Sequence, residues 1–149
     1  MALRNIVKEG DPILRKTSRS VVDFNDKTAQ LIDDMIETMR SAEGCGLAAP
    51  QVGILKRICV VEVDDEVFEL VNPVIIKESG EQYEQEGCLS LPGVYVTTKR
   101  PMEVTVRAQD RNGKTYTASG MGLKARAFCH EIDHLNGIMF KDREFKKEK

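Results

Sequence analysis

The sequence predicts an α+β fold, with antiparallel or mixed strands around a central metal-binding helix and one further helix in the N-terminal half. Three observations carry this. Two windows, one near each end, place apolar residues at helical spacing, and the later window encloses His130-Glu131-Ile132-Asp133-His134. The stretch between them is rich in Val, Ile, Thr and Tyr with local alternation. The chain has 149 residues and is 41% hydrophobic. That is near the commonest size for one compact domain, able to withdraw about 70% of its unfolded surface from water. One domain over residues 1–149 is expected.

Residues 1–24 read as an extended, turn-rich arm with a break at Gly10-Asp11-Pro12. A helix starts at Asn25 or Asp26, both good N-caps. Leu31, Ile32, Met35, Ile36, Met39 and Ala42 then recur three and four apart and form one packing face, and Gly44 stops the helix. Strands are predicted at 57–63, 67–76, 94–98, 102–109 and 114–119. Glu103-Val104-Thr105-Val106-Arg107 alternates as a half-buried strand does, and Asp110-Arg111-Asn112-Gly113 is a hairpin turn. Pro73 cannot donate to a ladder and belongs at an edge or a bulge. The second helix runs from about 121 to 136 with Gly137 as its C-cap. The tail, 141–149, is mostly charged and is predicted to be solvated or frayed.

Composition excludes several classes. The 22 Lys and Arg against 24 Asp and Glu leave a net charge of −2, with no polycationic surface for nucleic-acid phosphates. The longest apolar run, Ile58-Cys59-Val60-Val61, is far short of the ~20 residues of a membrane span. The first ten residues carry Arg4, Lys8 and Glu9 without an apolar stretch, so no secretory signal is read there. A soluble, cytoplasmic protein is expected. Cys45, Cys59, Cys88 and Cys129 are 14, 29 and 41 positions apart, with no C-x-x-C pair, which indicates neither a zinc ribbon nor a disulfide framework.

The chemistry centres on H-E-x-x-H. Residues four apart share a helix face, so His130 and His134 reach one metal ion, and Glu131 beside them is placed to take a proton from water there. The chain has two His, and random placement would set them four apart roughly one time in a hundred, fewer with the intervening Glu. Leu123, Ala127, His130 and His134 form one stripe, read as a pocket wall that ends at the metal. Ala125, Phe128, Ile132 and Leu135 form an opposite, core stripe. Cys129 lies nearer the core stripe and is read as a buried thiol. Asp133 either orients a ligand imidazole or is a surface carboxylate.

An open metal site needs a third protein ligand. Downstream of His134 stand only Asp142, Glu144 and Glu148, all in the tail. Upstream, Cys88 lies in the Gly-flanked turn Glu86-Gly87-Cys88-Leu89-Ser90, where a side chain can be aimed. Three segments then resemble the peptide deformylase family in residue type, order and spacing. They are Gly44-Cys45-Gly46-Leu47-Ala48-Ala49-Pro50-Gln51, Glu86-Gly87-Cys88-Leu89-Ser90 and His130-Glu131-Ile132-Asp133-His134-Leu135-Asn136-Gly137. The 34 residues between Gln51 and Glu86 resemble the shorter, iron-dependent bacterial type. Two positions depart from the family pattern. Cys45 stands where a branched aliphatic is usual, and Cys129 where a Gln commonly precedes the first His.

The resemblance implies removal of the N-formyl group from formylmethionyl chains, with release of formate. It implies one divalent metal on Cys88, His130 and His134, Glu131 as the base, and Gln51 and the Leu89 backbone N–H as oxyanion donors. Gly44 and Gly46 offer a bare backbone edge where a nascent peptide adds as a strand. Leu123 and Ala127, beside His130, with Cys45, are expected to take the methionine side chain. One thiolate and two imidazoles accept Zn²⁺, Fe²⁺, Ni²⁺ or Co²⁺. The family implies Fe²⁺ in the cell, whereas the ligands alone lead to zinc. Partners are then formylated nascent peptides, with the ribosome close by and neither membrane nor specific nucleic acid. Two rivals are weighed: a small zincin protease, which lacks its downstream ligand here, and a non-catalytic peptide- or ribosome-binding protein, against which the intact Glu131 and Gln51 argue.

Overall fold

The run Ile58-Cys59-Val60-Val61 opens a strand that is covered on both faces. The computed structural model describes residues 2–146. Its elements are α1 (Asp26–Ser41), β1 (Gly46–Ala48), β2 (Ile58–Val63), β3 (Glu66–Ser79), β4 (Gln82–Cys88), β5 (Leu91–Arg100), β6 (Glu103–Gln109), β7 (Thr115–Met121) and α2 (Leu123–Leu135), with 3-10 turns at Pro12–Arg15, Ala49–Val52 and Phe140–Arg143. Strands β1, β2, β3, β6 and β7 form one antiparallel sheet in that order, and β4 and β5 form a separate hairpin. The α+β prediction is met. Ile58 and Val60 meet Leu31, Ile32, Met35 and Met39 of α1. Cys59, Val61 and Val63 meet Phe128, Ile132 and Leu135 of α2. A strand with a helix on each face carries a continuous apolar run instead of alternation.

The predicted boundaries hold where local chemistry sets them. The Asn25 side chain accepts from the Thr28 N–H at 3.1 Å and caps α1. Helix α2 ends in a full Schellman motif: Gly137, at φ 73°, donates to His134 O and Ile138 donates to Asp133 O. Pro73 lies in a register shift between Val71 and Val74. Asp110 Oδ1 accepts from the Asn112 and Lys114 N–H groups and closes the β6–β7 turn.

Four readings are corrected. Glu43, not Gly44, takes the left-handed conformation after α1, at φ 59°. Gly44 is needed for space instead, because a Cβ there would lie 2.7 Å from Leu89 Cδ1. Strands β1 and β4 were not expected. β4 reads Gln-Tyr-Glu-Gln-Glu-Gly-Cys, without a β-branched residue, and exists because it pairs with β5 from Gln82↔Arg100 onward. Cys88 is therefore the last residue of a strand, not a turn residue. The tail, predicted to be solvated or frayed, is exposed over residues 141–146 but is held to the body and not frayed. Phe140 is buried, the Phe145 N–H donates to Thr97 O at 2.8 Å, and the Phe145 ring lies 4.7 Å from the Tyr83 ring. Residues 147–149, Glu148 among them, lie outside the described residues, as does Met1.

The N-terminal arm is extended as expected and braces the interior. Val7 donates to Gln51 O, Glu9 to Ser90 O and Ser18 to Leu135 O. Among the described residues no helix is long and apolar enough to cross a membrane.

Candidate metal centre

Helix α2 is driven against the sheet by Ala125, Phe128, Ile132 and Leu135, all buried. That burial turns the opposite stripe toward the β4–β5 hairpin. The His130 and His134 rings stand with centroids 5.0 Å apart. Across from them, Cys88 at the end of β4 places its Sγ 3.4 Å from His134 Nε2. One donor atom from each of Cys88, His130 and His134 lies within 4.8 Å of the others. Bonds to a tetrahedral ion hold such donors about 3.3–3.8 Å apart, so the set converges on one ion position with little rearrangement. Thiolate plus two imidazoles is a sound donor set for a transition-metal dication. Cys129 is buried among apolar groups, as read from sequence, and so is Cys59. Burial pushes the Cys129 thiol up to about 11.

The charge environment suits a cation. Burial pushes the His134 imidazole down to about 3, which keeps it neutral, as a ligand must be. Burial also works to lower His130, but Glu131, Cys88 and Glu86 outweigh it and hold the imidazole well above its ordinary range. Anionic neighbours that retain a proton in this way also favour a dication. Burial pushes the Glu131 carboxyl up to about 7. Its Oε1 is buried with no hydrogen-bond partner among the described residues, and its Oε2 lies 4.0 Å from His130 Nε2. A Cβ on Gly46 would overlap that carboxylate, so the bare backbone at 46 makes room for Glu131.

Gln51 is buried in the Ala49–Val52 turn and its orientation is fixed. Its Oε1 accepts from the Ala48 N–H at 2.9 Å, which turns the amide nitrogen toward Ser90 Oγ at 3.1 Å and Cys88 Sγ at 3.7 Å. Leu89 follows Cys88 in the two-residue turn between β4 and β5. These residues open onto a cavity of about 670 Å³. Gly44, Cys45 and Gly46 line one wall, Leu123 and Ala127 another, and His130 and Glu131 the inner end. Cys45 and Leu123 are exposed at its mouth. His134 sits behind the wall, 1% exposed.

The residues that orient His130 were not read from sequence. His130 Nδ1 meets Glu86 Oε1 at 2.6 Å, which leaves Nε2 as the ring nitrogen available to an ion. Thr98 Oγ1 donates to Glu86 Oε2 at 2.6 Å, and Arg100 donates to both Glu86 oxygens. Asp133 orients no imidazole directly and is no surface carboxylate. It is buried and pairs with Arg100 at 2.6 Å and with Arg143 at 3.1 Å. Glu86 stood two residues from Cys88 in a segment already singled out, which is the one signal available. Arg100 had none.

This network carries a pH dependence. Burial works to raise the Glu86 carboxyl, but the bonds from His130 and Arg100 outweigh it and hold it at about 2 instead of 4.5. A carboxyl lowered in the folded state adds stability above its unfolded pKa and loses it as pH falls toward the folded value. Metal-free protein is expected to lose on the order of 3 kcal/mol between about pH 4.5 and 2 from this group. Urea midpoints measured across that range check it. Glu86→Gln starts less stable, because Arg100 loses one of its two carboxylate partners, and shows a flatter acid limb. An equally steep limb in the variant would assign the loss elsewhere.

A buried H-E-x-x-H helix that meets a cysteine at the end of a substrate-sized cleft defines a metal-dependent hydrolase. The profile described as polypeptide deformylase matches residues 3–149. Similar relatives include the peptide deformylase of Heliobacterium modesticaldum, 56% identical over 143 residues, covering 96% of this chain and 95% of that protein. Another is that of Alkaliphilus metalliredigens, 54% identical over 147 residues, covering 99% and 100%. Among solved structures, the peptide deformylase of Thermotoga maritima superposes with a TM-score of 0.94 at 38% identity, covering 97% of this chain and 99% of that one. That of Synechococcus elongatus, solved with actinonin, gives 0.93 at 41%, covering 97% and 80%. The chain belongs to the polypeptide deformylase family.

Proposed function

We propose that Cys88, His130 and His134 hold one divalent metal ion and that Glu131 is the general base of a deformylation beside it. The reaction removes the N-formyl group from the N-terminal formylmethionine of newly made polypeptides. The formyl C–N bond is hydrolysed, and formate and the free amine leave. The observation that carries this reading is the Glu131 carboxylate, buried and unpartnered at Oε1 among the described residues, next to three converging donors at the end of the cleft.

When bound, the metal ion supplies Lewis acidity, lowering the pKa of water and polarising the formyl carbonyl. Glu131 takes the water proton and later returns it to the leaving amine. Gln51 and the Leu89 backbone N–H donate to the developing oxyanion, and the fixed amide of Gln51 supports this role. The Gly44–Gly46 edge pairs with the peptide backbone, because Gly46 opens β1, an edge strand. Cys45, Leu123 and Ala127 receive the methionine side chain. Fe²⁺ is the metal in the cell, and Zn²⁺, Ni²⁺ or Co²⁺ occupy the same donors in purified protein. Residues 1–149 act as one catalytic domain in the cytoplasm, close to the ribosome that supplies the substrate.

Anaerobically prepared protein is expected to release formate from a formyl-Met peptide and to leave the acetylated and free-amine peptides intact. Metal content is the companion measurement. One ion per chain is expected, lost in Cys88→Ala and retained in Cys45→Ala and Cys129→Ala. Full metal content in Cys88→Ala would remove Cys88 from the ligand set. Hydrolysis of the acetylated peptide at a similar rate would make the formyl specificity wrong.

A further inference from the structure

We propose that the C-terminal segment 140–146 is a positioning element for the metal centre, fastening the Cys88 hairpin to the histidine helix through Arg143. The proposal rests on the ligand set above.

The three donors come from two bodies. His130 and His134 belong to α2, whereas Cys88 belongs to a hairpin that is not part of the five-stranded sheet. The distance from thiolate to imidazoles is therefore set by what ties the hairpin to the helix. Part of that tie is internal: Glu86 on His130, Arg100 on both Glu86 and Asp133, and Gln82 Nε2 on Gly122 O at 2.9 Å. Arg126 of α2 also donates to Gln85 O, and the Cys88 end is held through Ser90 by the Glu9 N–H and the Gln51 amide. A further tie comes from the C-terminal segment. Phe145 donates its N–H to Thr97 O on β5, Glu144 bridges Thr98, and the Phe145 ring covers Tyr83 on β4. From the same segment, Arg143 grips the helix. Its Nε meets Asp133 Oδ2 and its Nη2 meets Asp133 Oδ1, both at 3.1 Å.

Asp133 links the two ties. Its Oδ2 is shared between Arg100 and Arg143, and its Oδ1 accepts only from Arg143 among the described residues. Arg100 in turn holds the Glu86 carboxylate that orients His130. A chain of alternating charges thus runs from half-exposed Arg143 through buried Asp133, Arg100 and Glu86 to a ligand imidazole. Without Arg143, Asp133 keeps one partner and gains rotational freedom. Arg100 and Glu86 then lose part of their fixed orientation, and the hairpin loses one of its anchors to the helix.

The test is metal release from Zn²⁺-loaded protein to excess chelator, followed by a colorimetric zinc indicator. Groups one step behind a ligand typically change metal affinity 10- to 100-fold. Arg143 stands further back, so Arg143→Met is expected to release zinc about 3- to 10-fold faster. Arg143→Lys keeps the charge but not the fork, and is expected to fall between. Phe145→Ala, which loosens the hairpin without touching a charge, is expected to speed release as well. Arg111→Met serves as control. It breaks pairs with Glu69 and Asp33 remote from the hairpin, and is expected to lower stability without changing release. Release from Arg143→Met at the parental rate, with or without a lower Tm, overturns the proposal. So does equal acceleration in Arg111→Met, which would make any loss of stability sufficient. Failure of the ligand assignment would show separately, as metal retained in Cys88→Ala.

Discussion

Glu131→Gln is expected to keep its metal and lose turnover by about 10²–10⁴-fold at every pH, the range that a general base supplies. The substitution keeps the shape that lies against Gly46 and removes the one atom set able to accept a proton. Glu131 is no ligand in the assigned set, so metal content should match the parent. The parent enzyme should show an acid limb, because Glu131 works only as the carboxylate. Burial, the largest influence on it, pushes it up to about 7. A nearby dication favours the carboxylate, so the midpoint in loaded enzyme lies below that value, and kcat/KM falls as pH drops through it. Formate release from pH 5 to 9, with metal analysis on the same samples, decides. Substantial turnover in Glu131→Gln would pass the proton to another group.

Gln51→Leu is expected to lower kcat about 10²- to 10³-fold, the usual cost of one oxyanion donor. The loss falls on kcat more than on KM, because the oxyanion exists in the transition state and not in the bound substrate. The acid limb stays in place, since Glu131 is untouched. The variant also leaves the Ala48 N–H without the acceptor it now has, so thermal unfolding should be measured alongside. A normal kcat with a raised KM would make Gln51 a substrate-binding group, and the oxyanion role would pass to the metal and the Leu89 N–H. The two variants separate cleanly: one abolishes the acid limb, the other keeps it at a lower plateau.

Much of this was legible because it is local. The cap at Asn25, the Schellman end at Gly137, the Asp110 turn and the Pro73 bulge each depend on a few neighbouring residues. The same is true of the i, i+4 histidines with Glu131 between them, and of the apolar stripe that buries the other side of α2. Cys88 required more. Elimination of downstream ligands pointed upstream, and the resemblance then gave its role.

What the tertiary structure decided is the set of contacts between residues far apart in the chain. Strand β4 lacks β-branched residues and exists through its partner β5 and its docking on α2. Gly44 looked like a helix stop, but its missing Cβ makes room for Leu89, 45 residues later. Glu86 and Arg100 are ordinary charged residues in a list of charged residues, until folding buries them together against His130 and Asp133. The charged tail is exposed, as its composition suggests, yet it is not frayed, because Arg143 finds Asp133 and Phe145 finds Tyr83. By itself the sequence determined the periodic elements, their caps and the i, i+4 histidine pair, because spacing along a helix or turn sets those within a few residues. Which carboxylate holds which imidazole, and what holds the hairpin to the helix, depend on complementary charges meeting across dozens of residues. Residue spacing carries no record of such pairings.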